Sequence, residues 1–310
     1  MITKISTSSH EEWLALRNKY IGGSDAAAVV GLNAFVSPYA LWAEKTGRLP
    51  GFEGNLATEV GTYLEEFVAQ KFAAETGKKV RKSNLSWFND EYPWAIANID
   101  REIVGEDAGL EIKTTSELNL KKFAGGEYPA NYYCQCMHYM AVTGKKKWYL
   151  AVLIGNREFK WFTIERDEDE IKALMDAEEA FKQLVDSDTP PNADGSSSTA
   201  DTLVTLYPES IADGIGIGAF ERELDNYFRL KAQAKELEET ISGIENRIKA
   251  HLGECERGEG EKYKVSWKTQ SRSTFDSKKF IADHPEMDVS KYFKTTNTRP
   301  FRVTEKKGNV

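Results

Sequence analysis

The stretch 109-GLEIKTT-115 holds a carboxylate and an ammonium two residues apart, and the architecture turns on whether it is strand or helix. The same tripeptide, Glu-Ile-Lys, recurs in 169-DEIKAL-174, so the tripeptide alone is a weak signal and context has to separate the copies. Residues 110–115 follow the turn-rich 105-GEDAG-109 and read as a strand. On a strand, Glu111 and Lys113 project from one face while Leu110, Ile112 and Thr114 take the other. The second copy follows the acidic run Arg166 to Glu170, where carboxylates favour the positive end of a helix dipole; there Glu170 is structural and Lys172 points to solvent.

Upstream, 78-KKVRKSNLSWFN-89 and 92-YPWAIANIDREIV-104 precede this strand. The three runs predict a meander ending in a hairpin, which brings Asp100 close to Glu111. Two facing carboxylates repel unless a cation lies between them, and oxygen ligands select hard ions such as Mg²⁺ or Mn²⁺. A lysine beside that ion can orient water and stabilise developing negative charge. A plain salt-bridge ladder on a surface hairpin is the competing reading.

Around this centre, Ser8 three residues ahead of Glu11 forms a capping-box pattern, and Ser37, Pro38 and Gly47 bracket a second short helix. In 55-NLATEVGTYLEEFVAQKFAAETG-77, Leu56, Val60, Leu64, Phe67 and Phe72 recur at helical spacing and predict a core stripe that stops at Gly77. A helix in 130-ANYYCQCMHYMAVTG-144, two strands in 145–165 and a helix over about 167–185 complete the order. Helices, strands, helix, strands and helix predict an α/β fold with a mixed central sheet flanked by helices.

The run 186-DSDTPPNADGSSSTAD-201 is rich in Pro, Ser, Gly and Asp and reads as a linker or long loop. The domain plan is therefore a core over 1–185, a linker over 186–201, a long amphipathic helix region over 202–256 and a basic β-containing extension over 257–310. The helix rests on Phe220, Leu224, Tyr227, Leu230, Ala234, Leu237, Ile241, Ile244 and Ile248 at three- and four-residue steps. Net charge is -8, but residues 257–310 carry 13 Lys+Arg against 7 Asp+Glu, or +6, which leaves -14 on the rest. A basic tail suits phosphates and clustered carboxylates suit metal ions; solvated surface is the simpler reading of both.

With 40% hydrophobic and 29% charged residues the 310-residue chain has the composition of an ordinary globular protein. Its start, MITKISTSSHEEW, has no apolar h-region, and no membrane span is apparent, so a cytoplasmic protein is expected. Three cysteines, Cys134, Cys136 and Cys255, are too few for a four-cysteine iron–sulfur cluster, and the pair Cys134 and His138 makes no zinc site.

Taken with its surroundings, 97-ANID-100 followed by GLEIKTT resembles the PD-(D/E)XK nuclease signature. The stretches 13-WLALRNKYIGGSDAAAVVGLNAFVSPYALWAEKTG-47, 60-VGTYLEEFVAQKF-72, 128-YPANYYCQCMHYMAVTG-144 and 152-VLIGNREFKWFTIERDE-168 are similar, in that order, to the YqaJ viral recombinase family, to which the phage lambda exonuclease is similar. The resemblance spans about residues 10–190. It implies a restriction-endonuclease-like core and a Mg²⁺- or Mn²⁺-dependent deoxyribonuclease, a 5′-to-3′ exonuclease that leaves a 3′ single strand. The alternatives are a related endonuclease and a non-catalytic DNA-binding relative.

Residue by residue, the resemblance implies metal ligation by Asp100, Glu111, the main-chain carbonyl of Ile112 and the helix carboxylate Glu65, with Lys113 as the catalytic lysine. Glu65 read without it is an exposed helix residue. Arg17 and Ser24 match positions that bind a 5′-phosphate, and Gln135 and Tyr139 match a glutamine and tyrosine one helical turn apart. Arg17 could instead pair with a carboxylate, Ser24 with Asp25 could cap a helix, and Gln135 and Tyr139 could be ordinary packing. The usual Pro-Asp-Gly is Ile99-Asp100-Arg101 here, a departure that bears on the local strand geometry. The implied partners are double-stranded DNA ends, a single-strand annealing recombinase and two further copies in a homotrimer, inside a bacterial host whose phage or prophage encodes the chain.

Overall fold

The structure is a computed structural model and describes residues 1–7, 9–51, 53–294 and 298–305. The chain divides into two compact units, Met1–Pro208 and Glu209–Val310. In the first, the order is β1 (Ile2–Ile5), α1 (His10–Lys19), β2 (Ile21–Gly22), α2 (Gly23–Val29), α3 (Pro38–Lys45), α4 (Leu56–Thr76) and β3 (Val80–Lys82). There follow β4 (Ser86–Asn89), β5 (Ala95–Asn98), β6 (Arg101–Ile103), β7 (Ala108–Thr115), 3-10 turns over Glu117–Gly126 and α5 (Ala130–Thr143). The unit closes with β8 (Lys147–Ile154), β9 (Glu158–Glu165), α6 (Glu168–Asp186) and α7 (Ser197–Leu206).

Five strands in the order β3-β6-β7-β8-β9 form the central sheet; β7 and β8 run parallel and the other neighbours antiparallel. A parallel pair needs a crossover, here α5, and its strands are buried on both faces. On β8 the alternation is clean. Trp148, Leu150, Val152 and Ile154 pack with α5, whereas Tyr149 and Ala151 pack with Val68, Ala69 and Phe72 of α4. Leu110 and Ile112 of β7 join the α4 side, which leaves Glu111 and Lys113 for the α5 side. Gly109 is fixed by close approach, because a Cβ there would sit 2.3 Å from the buried Trp148 ring. The mixed α/β fold with flanking helices is thus present.

The meander differs from the sequence reading. The first two strand runs each break in two, and β4 and β5 join β1 and β2 in a second, four-stranded sheet ordered β1-β4-β5-β2. The chain crosses between sheets at residues 83–85 and again at Ile99 and Asp100. The hairpin of β6 and β7 survives, with Arg101 opposite Leu110 and Glu102 opposite Gly109.

Helix termini follow local chemistry. Ser37 Oγ accepts from Ala40 N at 3.1 Å with Pro38 in the first turn, and α4 and α5 end at Gly77 and Gly144 with φ of 70° and 69°. Ser8 lies outside the described residues; Ser9 caps α1, its Oγ accepting from Glu12 N at 3.1 Å. The α4 stripe is corrected: Phe72 is buried, but Leu56, Val60 and Phe67 are exposed and line a groove with Thr114, Leu153 and Phe159, the buried face being Val68, Ala69 and Phe72.

The run expected as a linker or long loop at 186–201 is a loop over 187–196, but it ends in a helix and does not separate the two units. Its Ser and Thr residues build α7: Ser196 caps the helix, Ser37 N donates to Ser198 Oγ at 3.0 Å, and buried Thr199 donates to Ser37 Oγ at 2.8 Å. Arg48 forks onto Asp188 at 2.6 and 2.8 Å. The polar run is therefore folded into the first unit, and the division falls after Pro208.

The second unit holds a 3-10 turn (Gly218–Phe220), α8 (Glu221–Leu252), a hairpin of β10 (Arg257–Glu259) and β11 (Lys264–Ser266), α9 (Ser277–Asp283) and a 3-10 turn (Ser290–Tyr292). The expected long helix and β element are both there. The region boundaries 202–256 and 257–310 shift, because 202–206 belong to α7 and the basic segment also carries α9. Among the described residues no helix is long and apolar enough to cross a membrane.

Candidate active site

The carboxylate pair is built by the β6 and β7 hairpin. Asp100, one residue ahead of β6, accepts a hydrogen bond on Oδ2 from Ile112 N at 2.8 Å, which fixes it beside β7. Glu111 is 2% exposed, and its Oε1 receives both Lys113 Nζ and Gln135 Nε2 at 2.7 Å. Gln135 Nε2 also lies 2.9 Å from Tyr139 Oη, so these two residues of α5, one turn apart, back the glutamate rather than filling core at random. Glu111 Oε2 is buried with no hydrogen-bond partner. A buried carboxylate oxygen without a donor is costly, and it calls for a cation.

Electrostatics agree with that arrangement. Burial first, and then the Glu111 charge, push the Asp100 carboxyl well above its ordinary range. Burial alone would pull Lys113 down, but Glu111 and Asp100 outweigh it and the ammonium is raised. Lys113 Nζ also stands 5.4 Å from the centre of the Tyr132 ring, a contact the sequence did not suggest. Lys113 is therefore a cation here, suited to stabilise negative charge rather than to take a proton.

Glu65 sits differently. Its Oε1 accepts from Arg101 Nη1, and the same guanidinium donates to Glu66 Oε2 at 3.0 Å and to the Asp100 carbonyl at 2.9 Å. Lys82 Nζ is 3.8 Å from Glu65 Oε1. Among the described residues no group of three or more His, Cys, Asp or Glu side chains is arranged to hold a metal ion. Glu65, the further carboxylate implied by the resemblance, is paired with Arg101 instead. The oxygen-only set of Asp100 and Glu111, with the orphaned Oε2, still fits a hard divalent cation.

Arg17 of α1 donates from Nη2 to Ser24 Oγ at 2.8 Å, which brings the two phosphate candidates together. The α2 terminus beside them is already engaged. Asp25 Oδ2 accepts from Gly22 N at 3.0 Å and pairs with Lys45 Nζ at 2.7 Å. With that carboxylate in the first turn of a seven-residue helix, any anion contact falls to the Arg17 fork and the Ser24 hydroxyl. Gly23 links this region to the pair, since a Cβ there would lie 2.5 Å from Tyr139 Cε1.

The remaining sequence candidates resolve as structural. Glu170 in the first turn of α6 accepts from Tyr133 Oη, and Lys172 is exposed. His138 Nδ1 pairs with Glu178 at 2.8 Å and its Nε2 meets the Ile96 carbonyl at 2.9 Å, all buried. All three cysteines are free thiols, so no disulfide is formed.

A mixed sheet with an aspartate ahead of one strand and Glu-x-Lys on the next has the layout expected from the resemblance to the PD-(D/E)XK signature. The chain belongs to the YqaJ-like viral recombinase family, whose domain matches residues 12–146. It is 38% identical over 311 residues to a Bacillus subtilis (strain 168) protein named uncharacterized protein YqaJ, covering 98% of this chain and 97% of that one. Among solved structures it is similar to an alkaline exonuclease, LHK-Exo, from Laribacter hongkongensis, at 23% identity and a TM-score of 0.49 over 57% of this chain and 93% of that one. A phage-related exonuclease from Haemophilus somnus 129PT gives 15% and 0.42 over 57% and 100%.

Proposed function

We propose that this chain is a divalent-metal-dependent DNA exonuclease of a phage-type recombination system. The observation that carries the reading is the half-buried Asp100 beside the buried Glu111, with Lys113 Nζ 2.7 Å from Glu111 Oε1 and Glu111 Oε2 unpartnered. Asp100, Glu111, the Ile112 carbonyl and, when released by Arg101, Glu65 would hold Mg²⁺ or Mn²⁺. When bound, such an ion supplies Lewis-acid polarisation of the scissile phosphate and makes water a better nucleophile.

The chain's own residues do the rest. Gln135 holds Glu111 in one rotamer by donating to Oε1, so the carboxylate pair is set before substrate arrives. Lys113 presents a raised, charged ammonium to the phosphate oxygens, where negative charge develops in the transition state. Arg17 and Ser24 would bind a terminal 5′-phosphate, which carries more negative charge than an internal diester, and so tell a DNA end from the middle of a strand. Degradation would then run from the 5′ end and leave a 3′ single strand for an annealing recombinase. A homotrimer encircling DNA, in a bacterial cytoplasm, completes this reading.

The test is purified protein with end-labelled linear duplex and covalently closed circular DNA, in Mg²⁺ or EDTA. Release of 5′ nucleotides from the linear duplex alone, abolished by EDTA, is expected. Cutting of closed circles would overturn the exonuclease reading in favour of an endonuclease, and binding without cleavage would reduce the chain to a DNA-binding relative.

A further inference from the structure

We propose that Arg101 is a positioning residue that holds Glu65 in reserve and thereby weakens uptake of the divalent cation by the Asp100 and Glu111 site. The inference rests on the reading above but concerns a residue outside the carboxylate pair. Arg101 is 2% exposed, so its guanidinium has given up water and depends on protein acceptors. It finds three: Glu65, Glu66 and the carbonyl of Asp100, the residue that bonds Ile112 N. One planar fork thus ties consecutive carboxylates of α4 to the backbone of a candidate ligand.

The two carboxylates differ in what they can do. The Glu66 side chain is 64% exposed and can return to water, whereas that of Glu65 is 25% exposed and is also approached by Lys82. Arg101 Nη1 donates both to Glu65 and to the Asp100 carbonyl, so a single nitrogen joins Glu65 to the backbone of the pair. A divalent ion that recruits Glu65 must therefore take it from a guanidinium, and does so against the repulsion of that fixed positive charge. In the reverse direction, the cation keeps Glu65 ordered and close while no metal is bound. An arginine that only stapled α4 to β6 would affect stability and leave metal affinity alone.

Calorimetric titration of Mn²⁺ into the full chain without DNA separates these cases, using wild type, Arg101→Met, Glu65→Gln and the double variant. Arg101→Met removes the charge at similar length and should bind Mn²⁺ roughly tenfold more tightly, the size usual for changes in groups that contact a metal ligand. The gain should vanish when Glu65→Gln is also present, because the effect passes through that carboxylate. If Arg101→Met is poorly folded, Arg101→Lys serves: it keeps the charge but reaches one carboxylate, and a smaller tightening is expected. Unchanged affinity in the folded arginine variants overturns the proposal while leaving the metal site standing. Absence of Mn²⁺ binding in wild type and every variant overturns the metal reading as well.

Discussion

Replacing Gly23 by alanine tests how the start of α2 is coupled to the carboxylate pair. The added Cβ would lie 2.5, 2.9 and 3.1 Å from three atoms of the Tyr139 ring, where ordinary contact begins at 3.4 Å. The ring has to retreat by about 1 Å, and it has little room, being 5% exposed and tilted against Trp148 at 5.3 Å between centroids. Overpacking of this kind costs about 1–3 kcal/mol. For a unit of this size each kcal/mol lowers Tm by about 2–4 °C. The displacement also pulls on Gln135, which lies 2.9 Å from Tyr139 Oη and 2.7 Å from Glu111 Oε1, so cleavage should fall together with stability. Urea unfolding with an unchanged slope, alongside degradation of end-labelled duplex DNA, measures both. Tyr139→Leu in the same chain removes the obstructing ring, so the alanine penalty should shrink in the double variant. A Gly23→Ala protein as stable as wild type, or penalties that simply add, would refute the coupling.

Three further outcomes are expected. Glu111→Gln and Lys113→Ala should each abolish DNA cleavage while the protein stays folded, and Glu170→Gln should cut normally; equal loss in all three would remove the site assignment. Arg17→Ala should erase a preference for 5′-phosphorylated over 5′-hydroxyl duplex ends more than it slows cleavage, measured as rates on matched duplexes, and a wild type indifferent to the phosphate would count against the assignment. The third concerns pH: burial pulls His138 down, but the Glu178 carboxylate at 2.8 Å outweighs it and raises the imidazole above its ordinary 6.5. Burial raises Glu178 too, so the pair as a whole binds its proton more firmly than free groups do. A raised folded-state value stabilises fully below the unfolded one and is lost as pH rises through it, so unfolding free energy should decline above pH 6.5. His138→Gln should flatten that slope, and a wild-type profile already flat there would contradict the pairing.

What could be read from the sequence depended on how local the deciding interaction was. Period-two alternation placed Glu111 and Lys113 together on β7, and an acidic first turn assigned the second Glu-Ile-Lys to α6, because both signals lie within a few residues. Asp100 beside Glu111 was legible for the same reason, since a short turn fixes hairpin register. The splitting of two strand runs between sheets was not, because β4 and β5 are assigned to the second sheet by β1 and β2, distant partners with no mark in the run itself. Ser196, Ser198 and Thr199 looked like linker composition, yet the same hydroxyls cap α7 and join it to Ser37, more than 150 residues away. Arg101 is the extreme case. Sequence shows only an arginine after the aspartate, and no spacing connects it to Glu65 and Glu66, 36 and 35 residues earlier. Only when α4 lies across the sheet does that arginine meet both carboxylates, so the pairing that engages Glu65 is a product of the tertiary fold.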